Sequence, residues 1–333
     1  MNQYNINELS KQDIDTLMSK LGDVSNEVSK VIVGQREVID ELLIGILAGG
    51  HCLLEGVPGL AKTLMVSSLA KTMELDFHRV QFTPDLMPSD IVGTEILEED
   101  HGTGKRVFQF QKGPVFTNIL LADEINRTPP KTQAALLEAM QEKRVSFAGE
   151  THQLPKPFFV LATQNPVEQS GTYPLPEAQL DRFLLYIRVN YPTAEDEIEI
   201  LRRTTGTDNP SMTSVLKQDD LILLQSMTRS VEISDDMMKL IATIVRATRP
   251  GETGIDFINQ YIRWGAGPRA GQAMVLCAKA KALLDGRYSV VENDINFIAP
   301  AVLRHRILLK FEAEAENLTA DDLIRKLVDH CNG

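Results

Sequence analysis

The run Gly56-Val57-Pro58-Gly59-Leu60-Ala61-Lys62-Thr63 has the residue types and the spacing to hold a triphosphate. It follows a short apolar run, His51-Cys52-Leu53-Leu54, and leads into an amphipathic stretch to Glu74, so a loop joins a strand to a helix. In that setting the backbone N–H groups of the loop and of the first helical turn point at phosphate oxygens. The Lys62 ammonium reaches the β- and γ-phosphates, and the Thr63 hydroxyl ligates magnesium. ATP with Mg2+ is the expected occupant. The usual pattern has Gly before the Lys where this chain has Ala61. One added methyl keeps the N–H, so the loop is expected to function. A plain linking turn is the other reading, opposed by the strand, the Lys-Thr pair and the helix together.

A second run, Ile119-Leu120-Leu121-Ala122-Asp123-Glu124, delivers two carboxylates at the end of an apolar strand. Ligands of open α/β sheets gather at the carboxyl ends of strands. Asp123 is then expected to hold magnesium, directly or through water, and Glu124 to polarise a water in line with the γ-phosphate. Phe159 to Thr163 forms a further strand, with Asn165 in Gln164-Asn165-Pro166 at its end. Its amide suits donation to the γ-phosphate or positioning of the water; an Asn-Pro pair reads equally as a turn signal.

The elements that must place these groups follow from periodicity. Ile14, Leu17, Leu21, Val24 and Val28 predict a helix from Ile6 to about Lys30, and Val38, Leu42, Leu43 and Ile46 predict another that stops at Gly49-Gly50. Leu64, Met65, Ser68 and Leu69 share a face after the loop. Strands are expected at Phe77–Phe82, Val115–Leu121, Phe158–Thr163 and Phe183–Val189, with a helix entered through Pro129-Pro130 between the second and third. Such alternation predicts a mostly parallel sheet covered by helices on both faces, an αβα sandwich of the P-loop kind. Two insertions depart from it: 93–113, a hairpin or short helix, and 145–154, a hairpin with Gly149 at its tip. Past Asn190-Tyr191-Pro192-Thr193 and a loose connection at Gly206–Ser211, the tail reads as four or five helices with no convincing strand. The expected domains are an N-terminal helix (1–30), a nucleotide-binding core (31–192) and an all-α lid (193–333).

A length of 333 residues fits about two domains, and 43% hydrophobic with 24% charged residues is ordinary globular composition. A net charge of -12 opposes broad nucleic-acid binding. Cys52, Cys277 and Cys331 lie far apart, which reads as reduced thiols and no structural zinc. The six histidines form no metal-ligand motif and are read as packing or surface groups. Tyr261, Ile262 and Trp264 are expected to fill the lid core. Met1–Ser10 lacks a signal-peptide layout, and the longest apolar stretch is broken by Gly45, Gly49, Gly50 and His51. A cytoplasmic location and no membrane span follow by elimination.

Taken together, Gly50 to Thr63, Ala122-Asp123-Glu124-Ile125-Asn126-Arg127 and Leu175-Pro176-Glu177-Ala178-Gln179-Leu180-Asp181-Arg182-Phe183 resemble the MoxR family of AAA+ ATPases, over roughly Val31 to Arg306. Ala61 is an accepted variant of that family's loop. The resemblance implies a homo-oligomeric, hexameric ring with each nucleotide between neighbours, where Arg182 matches the arginine finger of the next subunit; the other reading pairs Arg182 with Asp181 or a sheet carboxylate of its own chain. It further implies that Gly267-Pro268-Arg269-Ala270 is the sensor-two segment, with Arg269 reaching its own or a neighbouring nucleotide. Val33 and Gly34, in Val31-Ile32-Val33-Gly34-Gln35, become the adenine side. The insertions resemble the helix-two insert and pre-sensor hairpin of the branch holding magnesium chelatase motors and MCM helicases.

Family members often act with von Willebrand A-type partners on metal-centre or complex maturation, so a chaperone-like motor on a protein client is the leading expectation. A nucleic-acid motor is opposed by the charge and by the cation-free tip Phe147-Ala148-Gly149-Glu150-Thr151. A non-hydrolysing switch or scaffold is opposed by Glu124, Asn165 and Arg182.

Overall fold

The computed structural model describes residues 10–99, 106–147, 149–167, 171–206 and 211–332. The segment 1–9, Ala148 and most of the Gly206–Ser211 connection lie outside the described residues. Helix α1 (Lys11–Ser29) opens on a capping box in which Ser10 Oγ accepts from the Asp13 N–H and the Asp13 carboxylate accepts from the Ser10 N–H. It buries Leu17, Leu21, Val24 and Val28, the stripe its periodicity predicts. Helix α2 (Arg36–Ala48) is buried from Val38 onward on nearly every side and ends at Gly49 in the left-handed conformation, φ 73°.

The chain then runs β1 (Cys52–Glu55), α3 (Lys62–Thr72), β2 (Phe77–Gln81), α4 (Pro88–Val92), β3 (Gly93–Glu99), β4 (Arg106–Lys112), β5 (Ile119–Asp123), α5 (Pro130–Glu142), β6 (Arg144–Phe147), β7 (Glu150–Gln153), β8 (Phe159–Gln164), α6 (Glu177–Leu180), β9 (Leu185–Arg188) and α7 (Ala194–Thr205). A five-stranded sheet in the order β2-β5-β8-β1-β9 is parallel throughout. Side chains alternate between its faces with period two. Cys52, Leu54, Ile119, Leu121, Phe159 and Leu161 enter one apolar cluster with α1, α2, α3 and the helical tail. Leu53, Leu120, Ala122, Val160 and Ala162 enter the other, with α5 and Phe183. The αβα sandwich with a helical tail is thus present.

Of the two alternatives for 93–113 the hairpin is the one found, as the antiparallel pair β3–β4, and the short helix α4 ends at Val92 just before it. The second hairpin, β6–β7, docks on the first: Phe110 stacks on His152 with ring centroids 4.4 Å apart. Leu64 departs from its expected face and is exposed, while Met65, Ser68 and Leu69 are buried.

The tail contains α8 (Gln218–Ser230), α9 (Asp235–Ala247), α10 (Asp256–Tyr261), β10 (Ile262–Trp264), α11 (Pro268–Leu284), α12 (Glu292–Leu303), β11 (Leu308–Leu309), α13 (Phe311–Ala315) and α14 (Ala320–Asn332). The expectation of no strand is corrected here by the antiparallel pair β10–β11, whose strands are too short to display alternation. Trp264 is corrected as well. A bulge between Ile262 and Trp264 shifts the register, so Ile262 is 1% exposed and Trp264 69%. Two arginines after α12 stitch the tail to β9: Arg304 donates to Asp321 (2.9 Å) and to the Tyr186 carbonyl (2.8 Å), and Arg306 to Asp181 (2.8 Å) and the Phe183 carbonyl (2.7 Å). No helix among the described residues is long and apolar enough to cross a membrane.

Two measurements check this arrangement. Trp264 is the sole tryptophan, so native emission should sit at the wavelength of hydrated indole and be open to acrylamide; a blue-shifted, shielded signal would contradict the bulge. His51 is buried between Val160 N–H, which donates to Nδ1 (2.9 Å), and the Met140 carbonyl at Nε2 (3.0 Å), and burial pushes its pKa down to about 4. Its folded value lies below the unfolded ~6.5, so stability should be level above that pH and fall progressively toward pH 4. In His51→Gln, denaturant melts should show a shallower acid slope; an unchanged slope would remove His51 from the account.

Candidate functional site

Because β1, β5 and β8 are parallel neighbours, all three release the chain at the same sheet edge, where α3 begins. Gly56 carries no side chain because a Cβ there would lie 2.8 Å from the Val189 carbonyl oxygen. Gly59 and Ala61 both have positive φ, 89° and 54°. Ala61 therefore occupies the left-handed position that explains the usual Gly, at a cost of about 1–2 kcal/mol for an L-residue. Lys62 Nζ donates to the carbonyls of Gly56 (2.5 Å) and Val57 (2.8 Å), so the ammonium lies within the curl of the loop. Burial lowers its pKa, while Asp123 and Glu124 oppose that shift.

The acidic pair is built by the adjacent strands. Asp123 Oδ1 accepts from Thr163 Oγ1 (2.6 Å), and Oδ2 accepts from both Arg79 Nε (3.0 Å) and Nη2 (2.6 Å). The chain then turns at Glu124 with φ 58°, and the Glu124 N–H donates to Thr163 Oγ1 (2.8 Å). Glu124 Oε2 accepts from Gln81 Nε2 (2.7 Å) and Arg127 Nη1 (2.9 Å). A strained turn is held only where its surroundings over-determine it, as these bonds do. Asn165 accepts from the Val167 N–H through Oδ1 (3.1 Å), so it is a turn former and also lines the cleft, to which its N–H donors remain available.

Loop residues Pro58 to Thr63, Asp123, Glu124 and Asn165 thus line one cleft of about 470 Å³. Arg79, Gln81 and Thr163 line it too and were not singled out in the sequence. Their signal was available: Arg79 and Gln81 are polar at alternate positions of a strand next to β5, and Thr163 ends the apolar run of β8. The cleft does not include the other expected residues. Gly34, its φ at 75°, lines a separate polar hollow of about 490 Å³ with Asn190–Thr193, Arg188 and Arg304; Val33 lines neither. Arg182 and Arg269 meet in a third hollow, with Lys143 and Arg306. Asp181 there pairs with Arg306 (2.8 Å) and Arg269 (3.3 Å), and Arg182 is exposed without an ion pair among the described residues.

The donor set fits a magnesium-bound triphosphate. A lysine inside a loop of amides, with an uncommitted Thr63 hydroxyl and the Asp123 carboxylate beside it, offers a cation and N–H groups to phosphate and hard oxygens to Mg2+. No group of three or more His, Cys, Asp or Glu able to hold another metal occurs among the described residues.

Residues 51–185 match the model of the ATPase family associated with various cellular activities, and 257–327 match that of the AAA lid domain. The chain is 44% identical over 303 residues to the chaperone MoxR1 of Mycobacterium tuberculosis, covering 91% of this chain and 79% of that one. It is 29% identical over 322 residues to the protein MoxR of Methylorubrum extorquens, covering 91% and 92%. A crystal structure from Cytophaga hutchinsonii superposes with a TM-score of 0.88 at 47% identity, over 96% of each chain.

The left-handed Ala61 generates a graded expectation. Ala61→Gly should bind magnesium-ADP at least as well as the parent. Ala61→Val, β-branched where φ is positive, should weaken binding by about tenfold or more in calorimetry. Equal affinity for Val would show that loop geometry at this position does not limit binding.

Proposed function

The chain belongs to the MoxR family of AAA+ ATPases, and from that premise we propose that it hydrolyses ATP as a homo-oligomeric ring, hexameric by family habit, to remodel or activate a protein client. The observation that carries this reading is the division of the phosphate machinery. Lys62, Thr63, Asp123, Glu124 and Asn165 share one cleft, while Arg182 and Arg269 share another. A neighbour that brings its arginine hollow against the cleft makes one complete site, so both arginines act in trans.

Within that site the loop amides and Lys62 bind the phosphates, and Thr63 and Asp123 hold Mg2+. When bound, the ion would neutralise phosphate charge. Gln81 and Arg127 both donate to Oε2 of Glu124, which leaves Oε1 to take the proton of the attacking water. The oxygen–phosphorus bond to that water forms as the bond to the leaving diphosphate breaks, and the guanidinium of the neighbour's Arg182 follows the developing charge. Val33 and Gly34 serve the adenine side. Residues 31–192 act as the nucleotide-binding core and 193–333 as the lid, with helix α1 packed against α2 and α3 of the one and α11 of the other. Hydrolysis alters their relative angle, as nucleotide-driven closure does elsewhere. A von Willebrand A-domain protein is the proposed link to the client, in the cytoplasm, with no nucleic acid involved.

Mixing separates this scheme from a self-contained site. Glu124→Gln and Arg182→Ala should each lower turnover by about 10²–10⁴-fold while keeping ATP binding. Combined in equal amounts they should regain activity, because about a quarter of junctions then pair an intact Glu124 with an intact Arg182. A mixture as inactive as its components would end the trans assignment, and unchanged phosphate release by Glu124→Gln would end its role as base.

A further inference from the structure

Two apolar features have no partner among the described residues. Helix α7 buries none of its residues, and Ile198 and Leu201, three apart on one face, are 51% and 60% exposed. Between α9 and α11 lies an apolar groove of about 560 Å³, floored by Ile241, Val275 and Leu276 and rimmed by Met238, Ala242 and Pro268. An exposed apolar stripe and an open apolar groove on one soluble chain both mark contact surfaces.

Their positions relate them to each other. The groove runs into the arginine hollow, since Gln272 and Leu276 line both. Helix α7 is capped by Thr193, beside Asn190 and Pro192 in the hollow that holds Gly34, and Val189 just before that stretch packs against Gly56 of the phosphate loop. The helix therefore stands by the half of the site that receives phosphate, and the groove by the half that supplies arginine. Charge agrees. The first turn of α7 carries Glu195, Asp196 and Glu197. Lys143 lines the arginine hollow, with Arg229 and Lys156 close enough to depress its pKa after burial has done so.

We infer that the apolar face of α7 docks in the α9–α11 groove of a second copy of this chain. This rests on the reading that Arg182 and Arg269 act across a subunit junction, and adds the contact that sets the junction's register. Because helix and groove are different patches, the contact is heterologous and propagates head to tail, as a closed ring requires. Acidic α7 residues facing the Lys143 surface orient the approach.

The test uses the full-length chain carrying Cys331→Ser, since Cys52 and Cys277 are buried. Leu201→Cys chains mixed with Ala242→Cys chains and treated with a short bismaleimide should give a cross-linked dimer that neither gives alone. Independently, the double variant Ile198→Asp, Leu201→Asp should lose assembly in sedimentation and about tenfold in turnover, with magnesium-ADP affinity held within about twofold because both side chains lie on the surface. Absence of the mixed cross-link, or unchanged assembly of the double variant, overturns the inference. If the Glu124→Gln and Arg182→Ala mixture still regains turnover in that case, the trans-arginine reading stands without this contact. A mixed cross-link with no regained turnover supports the docking and removes the trans arginines instead.

Discussion

The structure depends on the parallel pairing of five strands. A parallel sheet is buried on both faces and needs a crossover for every pair, so it carries helices above and below. Its further consequence is directional: every strand releases the chain at one edge. Glu55 pairs with Gln164, and Gln81 with Asp123, so the loop after β1, the acids ending β5 and the amide after β8 reach the same place by register. Thr163 shows how tightly that register is used. Its hydroxyl donates to Asp123 and accepts from the N–H of Glu124, which fixes both acids from the neighbouring strand. A shift of one residue in β8 would turn that hydroxyl to the opposite face.

Legibility in the sequence followed the length of the pattern. Helices α1 and α2 and strands β1, β5 and β8 present several apolar residues at regular spacing, and the phosphate loop and acidic pair are local in sequence. The less legible parts depend on contacts between distant segments. Strands β10 and β11 offer three and two residues, and a bulge decides which way Trp264 faces. Strand β5 begins only at Ile119 and not at Val115, because the N–H groups of Val115, Phe116 and Thr117 donate to Ile91, Gly113 and Val115 in a turn and not to a neighbouring strand. Arg79 is legible only as a polar residue within a strand, and its bond to Asp123 exists because β2 lies beside β5.

Asp181 and Arg306 show how a loop arginine is kept available. Asp181 precedes Arg182 and would be its natural partner, yet its carboxylate is occupied by Arg306 and Arg269. Arg306 is 4% exposed in its side chain and also donates to the carbonyls of Phe183 and Leu184. A buried guanidinium is tolerated when its donors are all matched, and matching them here fixes the backbone immediately after Arg182. The neighbouring Arg182 side chain is thereby left in solvent on a fixed stretch of backbone.

The cleft itself is arranged to exchange one set of charge contacts for another. The Lys62 ammonium is partly desolvated and rests on two carbonyls of its own loop, neutral acceptors for a full charge. Asp123 is matched by Arg79, and Glu124 by Gln81 and Arg127, so both carboxylates are compensated without Lys62. A triphosphate entering the loop would offer Lys62 anionic acceptors in place of carbonyls, adding charge–charge attraction that a partly desolvated site screens less than water does. The acids need not reorganise for that first step, because their partners come from β2 and the Glu124 turn. The contacts of Lys62 and those of the two carboxylates are thus built from separate sets of partners.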